Sequence, residues 1–229
     1  MRNKKSLGST ILIVVVGIIS WFLKEKGFLN SDGSFAGKPL STTSTGSGDF
    51  TKVALSGQGW ELLSDCQLIT GRNSDGDSFH VKHEKGETEF RLYFVDAPES
   101  SYKTYGGGEN NGKRLAEQGQ YFGGLDQSNT TKVGSSAKAL VKKALTKKNF
   151  KILTKWEDVY GPERKYCLAV VNWEGQDLYL HELIVAQGLG RIHTRGADLP
   201  DGRRYQDQKK HLKSLEQAAS EKKVGAWGL

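Results

Sequence analysis

The sequence predicts an α+β domain, a small five-stranded β-barrel with three helices, that follows an apolar N-terminal segment. Three observations support this fold class. Five short runs alternate or are rich in apolar residues, three stretches show helical spacing, and one long charge-free run lies near the N-terminus. Strands bury side chains with a period of two residues and helices with a period of 3.6. Short strands followed by separate helices indicate an α+β fold, and the strand count fits a small barrel.

The N-terminal segment predicts a membrane anchor. The 18 residues from 6 to 23 carry no charge, and residues 11–23 are almost wholly apolar. As a helix, such a run reaches about 27 Å, just enough for a thin bilayer core. Basic residues are more frequent before the run than after it, which places the rest of the chain outside the cytoplasm. We assign residues 1–29 to this anchor; a cleaved signal segment, which would release a secreted protein, is the alternative.

Residues 30–54 are predicted to be a flexible linker between this anchor and the folded domain. The stretch from 30 to 48 reads NSDGSFAGKPLSTTSTGSG and offers almost no apolar surface to bury. Such a composition is typical of an unstructured tether. The folded domain is therefore predicted to span residues 55–229.

Composition limits the partners and the covalent chemistry. The chain has 33 Lys and Arg against 26 Asp and Glu, a net charge of +7 and a pI of about 9.2. A basic surface suits a polyanion such as nucleic acid or an anionic membrane, although many basic proteins bind neither. Cys66 and Cys167 are too few for a disulfide scaffold or a four-thiolate zinc site. Two small buried residues or a single disulfide both remain open for this pair.

The elements of the domain follow in order along the chain. Residues 77–83 alternate, with Phe79, Val81 and His83 on one face, and residues 84–87 form a turn containing Gly86. Residues 89–95 alternate again, so the two runs predict a hairpin. The remaining predicted elements are a strand at 66–70, a long loop at 100–131, a helix at 133–144, strands at 150–156 and 165–171, a short helix from Leu180 that Gly188 ends, and a last helix from 212 to about 225.

Acidic residues flank the predicted hairpin. Asp75 and Asp77 start its first strand, and Asp96 and Glu99 follow its second. Antiparallel pairing brings these two ends together, with Arg91 on the strand between them. Clustered carboxylates repel one another unless a cation lies among them, and oxygen ligands suit Ca²⁺. Taken singly, each acidic motif could be a solvated turn or a strand end, but their combination with an arginine indicates a site.

This segment resembles the active-site hairpin of the staphylococcal nuclease (thermonuclease) family. That family's pattern is a DGDS or DGDT turn followed by R-L-x-x-V-D-x-P-E, and residues 75–78 and 91–99 meet it. The resemblance extends over residues 65–227, with a long insertion after Glu99. Its later part reads DVYGPERKY at 158–166, LHELIVAQGLGRI at 180–192 and HLKSLEQAASEKKVGAW at 211–227. It implies an oligonucleotide-binding (OB) fold.

The resemblance also implies roles for individual residues. Carried over by position, the calcium ligands would be the carboxylates of Asp77 and Asp96 and the backbone carbonyl of Ala97, with Asp75 in the outer shell. The catalytic residues would be the phosphate-binding Arg91 and Arg164 and the general base Glu99, and Tyr160 and Lys165 would bind substrate.

Together these residues predict a Ca²⁺-dependent phosphodiesterase that hydrolyses DNA and/or RNA. By resemblance, it would cleave the 5′ O–P bond and leave 3′-phosphate ends. Such an enzyme would act as a monomer, with nucleic acid as its substrate and the membrane as its only other partner. Two alternatives remain open: an inactive nucleic-acid-binding module on the same fold, and an envelope protein that binds calcium without turnover.

The chain departs from the family pattern in two places. The family has Tyr-Gly-Arg where this chain has a longer loop from Tyr160 to Arg164, so Lys165 is a rival for the second arginine. The tyrosines that line the family's nucleotide pocket are absent from residues 191–202, where His193, Thr194 or Arg195 would have to serve. Residues 132–155 hold eight lysines and no acid. They predict either a solvated face or a surface that tracks phosphates.

Overall fold

The computed structural model of the protein describes residues 50–72, 74–146, 150–160 and 163–229. The predicted anchor and residues 30–49 of the linker lie outside these ranges, so both stay predictions. Within the described ranges, no helix combines the length and the apolar character that crossing a membrane requires.

Nine strands are present in the described residues. Seven of them form one sheet in the order β1-β6-β7-β4-β3-β2, with β8 paired to β7, and β5 pairs with β9 in a separate two-stranded ladder. The β4–β7 pair is parallel and the others are antiparallel. The strands are β1 Glu61–Leu63, β2 Gln67–Leu68, β3 Ser78–His83, β4 Gly86–Leu92, β5 Val95–Asp96, β6 Lys151–Asp158, β7 Arg164–Trp173, β8 Gln176–Tyr179 and β9 Arg191–Ile192.

Four α-helices accompany these strands in the described ranges: α1 Gly112–Tyr121, α2 Gln127–Thr146, α3 Leu180–Ala186 and α4 Tyr205–Glu221. Short 3₁₀ turns lie at Gly106–Gly108 and Gly225–Gly228. The α+β class is confirmed. The predicted five strands and three helices are fewer than the nine strands and four α-helices of the described residues. No pairing joins β1 to β2 among the described residues, so a closed barrel stays a prediction.

The prediction of a loop at 100–131 is wrong for most of the second half of this segment, where α1 and the start of α2 lie. Leu115, Gly119 and Phe122 are buried at helical spacing along and just after α1. Frequent Gly, Asn and Gln concealed this spacing, since these residues usually mark loops. About half of the insertion is therefore helical, and α1 packs against α2.

The β3–β4 hairpin is confirmed. Phe79, Val81 and His83 are buried on one face, and two residues connect His83 to its partner Gly86. At the open end, the backbone N–H of Leu92 donates to the carbonyl of Asp77 over 2.9 Å. The start of the first strand therefore lies beside the end of the second.

The predicted strand at 89–95 ends early, at Leu92. Phe94 has a φ of 72°, a conformation that interrupts a strand and is costly for a bulky residue. Tertiary hydrogen bonds hold it there, since its N–H donates to Arg195 and its carbonyl accepts from His193. The chain then turns into β5, which pairs with β9 and places Asp96 opposite Arg191.

The core lies between the sheet and the helices, and both cysteines are buried in it as free thiols. The last residues of the predicted linker also contact the domain. The backbone N–H of Thr51 donates to the Glu182 carboxylate over 2.9 Å, and that of Ala54 donates to the Tyr179 hydroxyl over 3.1 Å. Residues 50–54, which the sequence assigns to the linker, thus include positions that contact the domain.

Candidate active site

Asp77 lies in the tight turn before β3, where its carboxylate is almost fully buried. Ser78 donates its hydroxyl to one carboxylate oxygen over 2.9 Å, and the backbone N–H of Ala97 donates to the other over 3.1 Å. A Cβ at Gly76 would come within 2.7 Å of the Ala97 and Ala137 side chains. Only glycine therefore lets this turn approach α2 and the end of β5 so closely.

Asp96, in β5, is 2% exposed and is surrounded by donors. Arg91 and Arg114 each lie 2.8 Å from its Oδ1, while the Nε of Arg191 donates to Oδ2 over 2.7 Å. The side-chain amide of Gln118 also donates to Oδ2, over 3.1 Å. Three guanidinium groups therefore converge on a single buried carboxylate.

Arg91 joins the two aspartates. Its Nη2 lies 3.1 Å from Asp77 Oδ2 and 2.8 Å from Asp96 Oδ1, so one cationic nitrogen sits between the two carboxylates. The convergence of Asp77, Asp96 and Arg91 that the hairpin predicts is present in the structure.

Glu99 follows Ala97 and Pro98 after the end of β5. Its backbone N–H donates to the Gln118 side-chain carbonyl over 3.0 Å, and Oε1 of its carboxylate lies 3.1 Å from the Nε of Arg114. A Cβ at Gly134 of α2 would lie 2.3 Å from the Pro98 carbonyl oxygen. Helices α1 and α2 therefore both contact the segment that carries Glu99, and Arg114 links Glu99 to Asp96.

Burial and the arginines set the charge states of the two aspartates. Burial and the charge of Asp96 raise the pKa of Asp77 to about 6, although Arg91 opposes the rise. Burial also acts to raise the pKa of Asp96, but Arg114 and Arg191 outweigh it and hold that pKa below its usual range. Asp96 is therefore the firmly ionised member of the pair, and Asp77 is the one whose ionisation is costly.

In the described part of the chain, four predicted site residues form no hydrogen bond or ion pair with the side chains of this cluster. The Arg164 guanidinium is 3.8 Å from Glu89, Lys165 pairs with Asp158, and Tyr160 is 98% exposed. Within the described residues, no hydrogen bond or ion pair links the Asp75 carboxylate to the cluster. No such contact joins these four side chains to Asp77 or Asp96 among the described residues, and their roles stay predictions.

Three residues of the site were not predicted: Arg114, Gln118 and Arg191. Arg114 and Gln118 are four residues apart and share a face of α1, a spacing that was readable only once the helix was recognised. Arg191 is part of the Gly-Arg-Ile sequence after α3, and only the short β5–β9 ladder shows that it faces Asp96.

The sequence model of the staphylococcal nuclease homologue family matches residues 89–228, more than half of the 229 residues. The chain belongs to this family. No curated protein matches the chain. The matched range includes Arg91, Asp96 and Glu99, whereas Asp75 and Asp77 precede it. Membership of the staphylococcal nuclease family indicates a nuclease-like or nucleic-acid-binding function.

Residues 193–195, the candidates to replace the nucleotide-pocket tyrosines of the resemblance, differ in exposure and contacts. His193 is exposed, Thr194 donates its hydroxyl to the Leu92 carbonyl over 3.2 Å, and Arg195 lies 3.3 Å from Glu157. In the described part of the lysine-rich stretch, Lys143 lies over the Trp173 ring, and Lys151 and Lys155 lie on β6. A role for this stretch in tracking phosphates stays a prediction.

The donor atoms fit a calcium ion in kind. Ca²⁺ takes carboxylate and carbonyl oxygens, which Asp77, Asp96 and the Ala97 backbone supply. The nitrogen of Arg91 between Asp77 and Asp96 shows that a positive group is accommodated there, and the Gln118 amide lies 3.1 Å from Asp96 and 3.2 Å from the Ala97 oxygen. Among the described residues, no group of three or more acidic, His or Cys side chains is gathered for a metal. Water would have to complete the coordination of an ion.

Proposed function

We propose that this domain is a calcium-dependent phosphodiesterase that hydrolyses DNA and RNA, cleaving the 5′ O–P bond and leaving 3′-phosphate ends. The observation that supports this most is the junction of Asp77, Arg91 and Asp96, with Glu99 held beside it. It combines hard oxygen ligands, a phosphate-binding cation and a carboxylate near one another, as phosphodiester hydrolysis requires.

Each side chain has a task in the proposed reaction. Arg91 binds non-bridging oxygens of the scissile phosphate and stabilises the negative charge that grows on them. Glu99 accepts a proton from the water molecule that attacks phosphorus. The P–O5′ bond breaks, the 5′ oxygen takes up a proton from solvent, and the phosphate stays on the 3′ oxygen of the preceding nucleotide.

Asp77, Asp96 and the Ala97 carbonyl would hold calcium, which when bound polarises a phosphoryl oxygen and helps to orient water. Arg191 and Gln118 keep Asp96 in place for this role. Because Arg91 is close to both aspartates, it lies where a phosphate beside the ion would be bound.

The proposal is tested by incubating the purified full-length chain with single-stranded DNA and with RNA, and measuring acid-soluble nucleotides. We expect release with Ca²⁺, loss of release with EGTA, and product ends that a 3′-phosphatase converts to hydroxyls. Binding of the oligonucleotides without cleavage would instead indicate an inactive binding module. Calcium binding with neither cleavage nor oligonucleotide binding would indicate a calcium-binding envelope protein.

We also propose that residues 1–29 hold the domain outside the cytoplasm, on the basis of the charge-free run at 6–23 and the basic residues before it. An enzymatic reporter fused after Gly48 tests this topology. Activity of the fusion outside the cytoplasmic membrane is expected, and a reporter that stays in the cytoplasm would rule out export.

A further inference from the structure

We infer that Arg114, supplied by the insertion helix α1, is the second phosphate-binding arginine of this site. The inference rests on the proposed function and deepens it. It assigns to Arg114 the phosphate-binding role that the family resemblance gives to Arg164.

Arg114 is the one guanidinium of the three on Asp96 that combines contact with the cluster and access to solvent. Its side chain is 44% exposed, against 11% for Arg91 and 8% for Arg191. It touches Asp96 through Nη2 and Glu99 through Nε, so it lies between the proposed metal ligand and the proposed base. A phosphate placed between them would meet this guanidinium.

Arg114 has N–H donors that its contacts with Asp96 and Glu99 do not use. A guanidinium has five N–H donors in a planar fork. In the described part of the chain, the contacts of Arg114 with Asp96 and Glu99 involve only Nη2 and Nε. Its Nη1 is left for an incoming anion, and a fork of this kind matches two phosphate oxygens.

Arg164 does not have this position. In the parallel β4–β7 pair, Arg164 is level with Glu89, whereas Arg91 is level with Tyr166. Two residues of strand correspond to about 6–7 Å. Arg164 is thus displaced along the sheet from Arg91, and its guanidinium lies 3.8 Å from Glu89.

The helix that carries Arg114 is well fixed, as a phosphate-binding group requires. Leu115, Gln118 and Gly119 are buried on the inner face of α1. A Cβ at Gly119 would lie 2.3 Å from the Leu125 carbonyl oxygen, so α1 and the start of α2 are in close contact. The loop before α1 is pinned by Asn111, which accepts from the Lys103 N–H and donates to the Ser101 carbonyl.

The test compares Arg114→Ala, Arg114→Lys and Arg164→Ala in the full-length protein, with Lys113→Ala as the matched control. Lys113 is the exposed neighbour of Arg114 on α1, so the control removes the same charge from the same turn. We measure kcat and KM on a single-stranded DNA oligonucleotide with Ca²⁺, and its Kd by fluorescence anisotropy in EGTA. The melting temperature as a function of calcium concentration reports metal binding separately.

We expect Arg114→Ala to lower kcat about 100-fold or more, as loss of a donor to transition-state charge does. The kcat of Arg114→Lys should lie between those of the parent and Arg114→Ala, because lysine keeps the positive charge but not the planar set of guanidinium donors. The fall in kcat caused by Arg164→Ala should be at least about tenfold smaller than the fall caused by Arg114→Ala. The kcat of Lys113→Ala should stay within about twofold of that of the parent. Calcium should bind Arg114→Ala as tightly as the parent or more tightly, because a cation beside Asp96 has been removed.

Two results would overturn the inference: a kcat of Arg114→Ala close to that of the parent, or a larger loss in Arg164→Ala. Weaker calcium binding in Arg114→Ala would also count against it, since it would indicate a structural role. If the parent does not cleave, the proposed function fails. The Kd for the oligonucleotide, measured by anisotropy, then tests separately whether Arg114 binds phosphate. A Kd that rises about tenfold in Arg114→Ala but not in Lys113→Ala would then still support phosphate binding.

Discussion

Arg191 lies directly opposite Asp96 in the two-residue β5–β9 ladder, and its Nε donates to Asp96 Oδ2 over 2.7 Å. Both side chains are less than a tenth exposed. Arg91 and Arg114 approach the other oxygen of Asp96. Arg191 is itself buried, and it orients the carboxylate through Oδ2. The pair therefore fixes the residue on which the proposed metal site depends.

Replacing Arg191 by Ala should destabilise the domain by about 2–3 kcal/mol, because it removes one partner of a buried ion pair while two others remain. Urea unfolding at pH 7 measures this loss. Arg195→Ala is the control, since Arg195 is 57% exposed and its pair with Glu157 should contribute less than about 1 kcal/mol. Equal losses in the two variants would show that Arg191 has no special role.

Replacing Glu99 by Gln should lower kcat by about 10²–10⁴, because the amide cannot accept a proton from water. The calcium-dependent rise in melting temperature should persist, since Glu99 is not a proposed ligand. Glu117→Gln, an exposed change on α1, serves as the control. A variant at Glu99 that cleaves as fast as the parent would remove it from the mechanism.

Replacing Gly134 by Ala should destabilise the protein, although alanine normally favours a helix over glycine by about 1 kcal/mol. The new Cβ would lie 2.3 Å from the Pro98 oxygen and 2.5 Å from that of Glu99, so the backbone must move. We expect a net loss of about 1–3 kcal/mol and lower activity, because Glu99 is displaced. Lys138→Ala on the exposed face of α2 should show neither effect, and a more stable Gly134→Ala would contradict the packing described here.

The buried carboxylate of Glu182 should make stability depend on acid pH. Burial alone would raise its pKa, but the nearby His211 and the donors from Thr51 and Gln208 lower that pKa to about 2. The folded-state pKa is below the ordinary 4.5, so the stabilisation is complete above about pH 4.5 and is lost as pH falls towards 2.

Glu182→Gln should accordingly cost about 3 kcal/mol at pH 7 and much less near pH 2.5. Thermal unfolding of both proteins from pH 2.5 to 7 measures the difference. Glu221→Gln, at an exposed position on α4, provides the baseline. A difference between parent and Glu182→Gln that does not change with pH would refute the assignment.

The β3–β4 hairpin was predictable because its signals are local. Alternation at Phe79 and Val81, the turn before Gly86 and the acids at both ends lie within 25 residues. The same local pattern placed Asp77, Asp96 and Arg91 together, and it did so before any tertiary contact was known. Residues that reach the site from distant segments left no comparable pattern.

The insertion after Glu99 shows the limit of local signals. Its glycines and amides predict a loop, yet burial of Leu115 and Gly119 against α2 stabilises a helix there, because tertiary packing outweighs weak propensities. The helix brings Arg114 and Gln118 to Asp96, contacts for which the linear sequence has no signal.

By itself, the sequence determined the family, the α+β class and the hairpin that joins the carboxylates, because these depend on periodicity and on residues close together in the chain. Only the tertiary structure decided which arginines meet Asp96 and that Arg164 lies beside Glu89 instead. The reason is physical: strand register and helix packing are set by burial over the whole domain, and a shift of two residues moves a side chain by more than the length of a hydrogen bond.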